Sequence, residues 1–356
     1  MADVLVAVVG ATGFTGRLTV AALRRRGVQV RAIGRNRQKL DALAGDDAGI
    51  EVRESAWDAA SLADALRGCG AAVSCAGPFG SVGHPVIEAA VRARVPYTDS
   101  TGEQPFIRWV FEELAQPARA AGVPLVPACG HDYLPGDLGC ALAAEGLGPL
   151  ERLDVVYAPE SAAASVGTRV SALQIVAAGG VALRDGRLRT MRMGAVKRSV
   201  DVGWGRVRAG LFPAGEPLQV PRHVDVAAVY PYLALPGAMS PANPGAAAFG
   251  ALLRVPGVRG MLERAARGGA EGPEGAAREA RWSVHVQATA RSGERRALLL
   301  EGRDVYGFTA ESLSELALRM ADGVDATGAC APAEVVEAAP FLAATGVTVR
   351  EVAPEP

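Results

Sequence analysis

Residues 4–16 read Val4-Leu5-Val6-Ala7-Val8-Val9-Gly10-Ala11-Thr12-Gly13-Phe14-Thr15-Gly16. Six apolar residues in a row predict a strand buried on both faces, as in a parallel sheet. The chain then turns through three glycines into an amphipathic stretch, Arg17 to Arg26. Gly10 allows the tight turn, Gly13 lets the backbone approach a pyrophosphate, and Gly16 lets helix pack closely on strand. The N–H groups of Ala11, Thr12, Phe14 and Thr15 surround that turn, where a helix start meets negative charge. A glycine triplet placed between a buried strand and a helix is the signature of a dinucleotide site.

The second strand identifies which dinucleotide is expected. The apolar run Val28 to Ile33 ends in Gly34-Arg35-Asn36-Arg37, with Lys39 one turn further on. A site preferring NAD would place Asp or Glu here to bind the ribose 2′-hydroxyl. This chain has no acid at that position. Arg35 offers a planar fork of donors suited to a 2′-phosphate, Asn36 stands beside it, and Lys39 adds a point charge. NADPH is therefore the expected cofactor.

A chain of 356 residues is long enough for two domains, each with its own core. A formal net charge of −1 gives no bulk attraction to nucleic acid or to a membrane surface. No apolar stretch reaches the ~18–20 residues needed to span a bilayer. The first apolar run has no basic segment ahead of it, unlike a secretory signal. Five cysteines without C-x-x-C pairing read as free thiols of a reducing, cytoplasmic setting. Four histidines, none at metal-ligand spacing, predict no bound metal.

The alternation of strand and helix continues. Glu51-Val52-Arg53 reads as a third strand, followed by Asp58, which either faces the adenine or caps the next helix. Gly70 to Cys75 is a fourth strand, delivering Ala76-Gly77-Pro78-Phe79 to the edge of the sheet where nucleotides lie. Tyr97 and Asp99 end a fifth strand, followed by the polar Ser100 to Glu103 stretch. Val123 to Cys129 forms a sixth, leading into Gly130-His131-Asp132-Tyr133. Two polar, glycine-containing loops at one sheet edge predict the chemistry site. Beyond Asp137 alternating strands appear, at 152–157, 200–207, 223–229, 281–290 and 295–305. The expected organisation is a Rossmann-type doubly wound parallel sheet over 1–137, an α+β substrate domain over 138–308, and C-terminal helices over 309–356 returning to the first domain.

These residues carry a family resemblance. Gly10 to Gly16, Tyr97-x-Asp99-x-Thr101-Gly102-Glu103 and Gly130-x-Asp132-x-x-Pro135-x-Asp137 resemble the saccharopine dehydrogenase-like oxidoreductases, nearest their bacterial trans-acting enoyl reductases. Ser165-x-Gly167-Thr168-x-x-Ser171, Val220-Pro221-Arg222-His223 and Tyr306-Gly307-x-Thr309-Ala310-Glu311 are similar to that subgroup too. The resemblance implies NADPH-dependent reduction of an enoyl C=C bond, on a small or carrier-tethered substrate, with an acyl carrier protein as a partner. It also implies an alternative, reduction of a C=N bond to an amine. Where relatives have Gly-Phe-Asp-Ser, this chain has Gly130-His131-Asp132-Tyr133.

Hydride addition builds charge that a nearby donor must relieve. His131 and Tyr133 are the candidate donors, each set against a packing role, and Asp132 against a loop-orienting one. Tyr97, Asp99, Glu103, Arg222 and His223 are candidate substrate contacts. The arginine-rich segment 184–208 is either a solvated face or a receiver for an acidic partner. A homodimer follows if the exposed strand edges of the second domain pair across a two-fold axis. A protein that only binds NADPH, as a redox sensor, is the alternative of another class.

Overall fold

A computed structural model describes residues 4–237, 240–255 and 257–355. Residues 238, 239 and 256, within the Gly-, Ala- and Pro-rich stretch 235–275, lie outside the described residues. The chain divides into two units.

The first unit comprises Met1–Thr101, Pro105–His131 and Tyr306–Val336. Its strands are β1 (Leu5–Val9), β2 (Gln29–Gly34), β3 (Ile50–Glu54), β4 (Ala71–Ser74), β5 (Tyr97–Asp99), β6 (Pro124–Val126) and a short Gly328–Ala329, which is β15 in chain order. They form one parallel sheet in the order β15-β6-β5-β4-β1-β2-β3. This is the doubly wound order, with its switch point between β1 and β4. Val6 to Val9 are completely buried, as a strand covered on both faces must be. The helices Ala59–Leu66 and His84–Ala93 pack together against this core.

The second unit comprises Gly102–Gln104, Asp132–Val305 and Glu337–Pro356. Its strands are β7 (Leu150–Pro159), β8 (Gly180–Arg184), β9 (Arg187–Met191), β10 (Lys197–Asp201), β11 (Arg206–Leu211), β12 (Val226–Leu233), β13 (Arg281–Ala290), β14 (Arg295–Arg303) and β16 (Thr348–Val352). The sheet runs β10-β11-β12-β7-β13-β14-β16, with the hairpin β8-β9 attached to β12. Pairing is antiparallel except between β7 and β12. The long β13 reads Trp282, Val284, Val286 and Ala288 on one side and Ser283, His285 and Gln287 on the other. Both rows are buried.

Several elements differ from the sequence reading. The division falls at 131/132 and 305/306 rather than 137/138 and 308/309, and the tail 337–356 lies with the second unit. The first of the C-terminal helices expected over 309–356 begins earlier, at Val305, so Thr309 lies inside it. The helix Val166–Ala178 ends where Gly179 at φ +70° turns the chain into β8. The strand expected over 223–229 is β12, shifted to Val226–Leu233 because Val220–Arg222 forms a 3-10 turn.

Candidate functional site

The glycine turn joins β1 to the helix Phe14–Arg25. Gly10 sits at φ +78°, a conformation that L side chains rarely adopt. A Cβ on Gly16 would lie 2.2 Å from the Gly10 carbonyl oxygen, so only glycine lets the helix start this close to the turn. At the N-cap, Gly13 provides no side-chain acceptor, and the first turn holds no acid. The opening N–H groups of a helix have no intrahelical acceptor, and among the described residues no N-cap side chain takes their place here. This cradle fits the diphosphate of a dinucleotide. Arg17 Nη1 holds the turn by donating to Thr12 O at 2.8 Å, and Phe14 packs edge-on against Tyr306 at 5.0 Å.

The end of β2 carries Arg35, which is exposed. Its neighbours are all engaged: Arg31 with Glu51, Arg53 with Glu51, and Arg37 with Asp41. Among the described residues no carboxylate pairs with Arg35; its guanidinium carbon lies 5.1 Å from the centre of the Trp57 ring. Asn36 caps the helix Arg37–Ala44, its side chain accepting from Lys39 N at 2.9 Å. Asp58 likewise caps the helix Ala59–Leu66. It accepts from Ala60 N, Ser61 N and Ser61 Oγ, and the Ser61 bonds hold its carboxyl below the ordinary range. Of the two readings of Asp58, the structure thus displays the cap.

At the end of β4, Ala76 and Gly77 lead through a cis Gly77–Pro78 peptide into the short helix Phe79–Val82. A Cβ on Gly10 would lie 3.0 Å from Ala76, so the two turns are closely apposed. At the end of β5, Asp99 is fully buried and its carboxylate is taken up by the fold. Tyr97 Oη donates to Oδ2 at 2.8 Å, while Thr101 N and Ala128 N donate to Oδ1 at 2.9 Å each. Burial and the adjacent Asp99 charge raise the Tyr97 hydroxyl well above its ordinary value. Ala128, at φ +65°, is a strained residue that the sequence did not reveal. It precedes Gly130 and His131, whose backbone N donates to Thr309 Oγ1 at 3.0 Å. The His131 ring stands edge-on to Phe308, and burial lowers its pKa to about 3, so the imidazole is neutral at pH 7.

In the second unit, Tyr133 Oη donates to Gly102 O at 2.6 Å, which commits the hydroxyl to a backbone carbonyl. Burial lifts it far above its usual pKa, with Asp132, Glu216 and Glu103 adding like-signed charge. The Asp132 side chain is exposed, yet the protein packed around its loop desolvates the carboxyl and raises it to about 6. Glu103 accepts from Ser171 Oγ at 3.0 Å. His223 Nε2 meets Asp137 Oδ1 at 2.7 Å, and Arg222 is half-buried in the turn beside it. Sequence reasoning missed one strongly perturbed carboxyl. Glu216 is fully buried and pushed up to about 8 by desolvation, with its Oε1 accepting from Tyr157 Oη at 2.5 Å. A Cβ on Gly136 would strike both, at 2.1 Å from the hydroxyl and 2.5 Å from the carboxylate.

The cysteines behave as small hydrophobes: none forms a disulfide, four are buried and Cys75 is half-buried, and desolvation pushes Cys75 up to about 12 and Cys69 to about 11. Among the described residues no group of three His, Cys, Asp or Glu could hold a metal, and no helix is long and apolar enough to cross a membrane. In the arginine-rich segment, Arg198 pairs with buried Asp154, and Arg206 with Glu355.

Residues 10–107 match the NAD(P)H-binding family. Over 99% of its length the chain superposes on all of the saccharopine dehydrogenase (L-Glu forming) of Saccharomyces cerevisiae, with a TM-score of 0.63 at 13% identity. The chain has the saccharopine dehydrogenase fold, with an NAD(P)H-binding Rossmann domain. A trans-acting enoyl reductase of Mycobacterium ulcerans is 30% identical over 160 residues, covering 41% of this chain and 38% of that protein. A lipid droplet localized protein of Caenorhabditis elegans is 32% identical over 148 residues, covering 38% and 34%. The chain spans less than half the length of the curated relatives it matches.

Proposed function

We propose that this chain is an NADPH-dependent oxidoreductase that reduces the C=C bond of an enoyl substrate. The observation that carries the cofactor half is the glycine cradle followed, at the end of β2, by an arginine that pairs with no carboxylate among the described residues. What supports the C=C half is the similarity to enoyl reductases. The nicotinamide supplies hydride when bound. Gly10, Ala11, Thr12, Gly13, Phe14, Thr15 and Gly16 hold the diphosphate, Arg35 and Lys39 bind the 2′-phosphate, and Ala76 to Phe79 with Gly130 line the remainder. Reduction of an enoyl thioester leaves an enolate that needs a proton. Asp132 is the best-suited donor, because its side chain is exposed and a carboxyl raised to about 6 keeps its proton at mildly acidic pH, where an ordinary aspartate has lost it. Tyr133 is engaged with Gly102, and His131 stays neutral behind Phe308.

A second reading, reduction of C=N, is favoured by the acids Glu103 and Asp132 whose charge is felt at Tyr133, a setting that suits a cationic iminium. Presentation of the substrate on a carrier protein, a homodimer and a cytoplasmic setting belong to the same proposal. The test is NADPH consumption with a panel of 2-enoyl thioesters and cyclic imines. Turnover of a thioester, falling as pH rises through about 6 and lowered ~100-fold or more in Asp132→Asn, is the expected result. Turnover of imines alone establishes the second reading. A protein that binds NADPH and turns over neither class is the sensor.

A further inference from the structure

Arg35 is held by an aromatic ring and not by an acid. Ser55 N donates to Gly34 O at 3.0 Å, which carries the β2–β3 pairing up to the residue before Arg35. Two residues later the half-buried Trp57 turns its ring toward Arg35, with the guanidinium carbon 5.1 Å from the ring centre. The indole is itself fixed at its other end: Nε1 donates to Val82 O at 2.8 Å. Val82 closes the short helix that follows the Gly77–Pro78 turn. Trp57 therefore ties together the ends of β2, β3 and β4, three strand ends that face a dinucleotide in a sheet of this order. Every other arginine on β2, on β3 and at the start of the next helix is neutralised by a carboxylate, which competes with any incoming anion. A cation–π contact holds the guanidinium without using any of its five N–H donors, and among the described residues no acceptor takes them up.

We propose that Trp57 is the positioning residue that sets this chain's preference for a phosphorylated ribose, by holding Arg35 in place without occupying its donors. The inference rests on the NADPH reading and deepens it. The test compares affinity for ADP and for 2′,5′-ADP in wild type, Trp57→Leu, Trp57→Phe and the same changes in an Arg35→Ala background. Trp57→Leu is expected to weaken 2′,5′-ADP binding about 3–5-fold and leave ADP unchanged, because an exposed cation–π contact is of that size. Trp57→Phe keeps a π-face and should retain most of the preference. With Arg35 absent, Trp57→Leu should have no further effect. Equal weakening of both nucleotides, or an undiminished preference in Trp57→Leu, overturns the proposal. A wild type that binds ADP and 2′,5′-ADP equally overturns the NADPH reading, and this inference with it.

Discussion

At Gly16 a single methyl group decides whether the cradle exists. A Cβ placed 2.2 Å from the Gly10 carbonyl cannot be absorbed by a side-chain movement, since both partners are backbone. Gly16→Ala must therefore push the helix start away from the turn. We expect NADPH affinity to fall by more than tenfold in calorimetry, with a lowered melting temperature from the displaced helix. Retained affinity would mean that the turn is not the diphosphate site. Gly13 and Arg35 were legible in the same sequence stretch because their chemistry is local. Trp57 was not, because its value depends on the direction of a ring that sequence spacing does not give.

Between the ends of β5 and β6 the stitching is done by one carboxylate. Asp99 serves three buried donors, Tyr97 Oη, Thr101 N and Ala128 N. Asp99→Ala leaves all three unsatisfied, at about 1–3 kcal/mol each. Against a total stability of about 5–15 kcal/mol, this should remove a large part of the fold's margin. Asp99→Asn retains an acceptor for the two backbone donors and should cost about 1–2 kcal/mol. Urea denaturation of the two variants checks the order, and a harmless Asp99→Ala would contradict it. The parallel strands of the first unit were readable as apolar runs closed by glycine and polar loops. The hairpin β8-β9 was not, because its exposed strand Arg187–Met191 lacks a buried face that would impose alternation.

For the molecule as a whole, the second unit's interior carries a pH signature. Desolvation raises Glu216 from an ordinary 4.5 to about 8, so the folded protein keeps a proton that the unfolded chain has lost. Stability is then greatest below about 4.5 in this contribution, and declines as pH rises from there through about 8. His131 and His285, lowered to about 3 and about 4 by burial, act oppositely as pH falls below 6.5. The informative quantity is therefore wild type minus Glu216→Gln. Denaturant unfolding at pH 5 and pH 8 should show the difference shifting toward the variant at the higher pH; a constant difference would contradict the assignment. Nothing in the sequence flagged Glu216. A lone glutamate before a proline looks like a helix start on the surface, and only its partner Tyr157, 59 residues away, reveals its burial.

The central claim joins the cradle to the arginine beyond β2, and isothermal titration of the purified chain with NADPH and NADH, for wild type and Arg35→Ala, tests it most directly. Wild type should bind NADPH at least tenfold more tightly than NADH, and Arg35→Ala should lose that margin, worth about 1.4 kcal/mol or more, while binding NADH as before. Absence of NADPH binding, or a preference for NADH that the substitution leaves untouched, would contradict it.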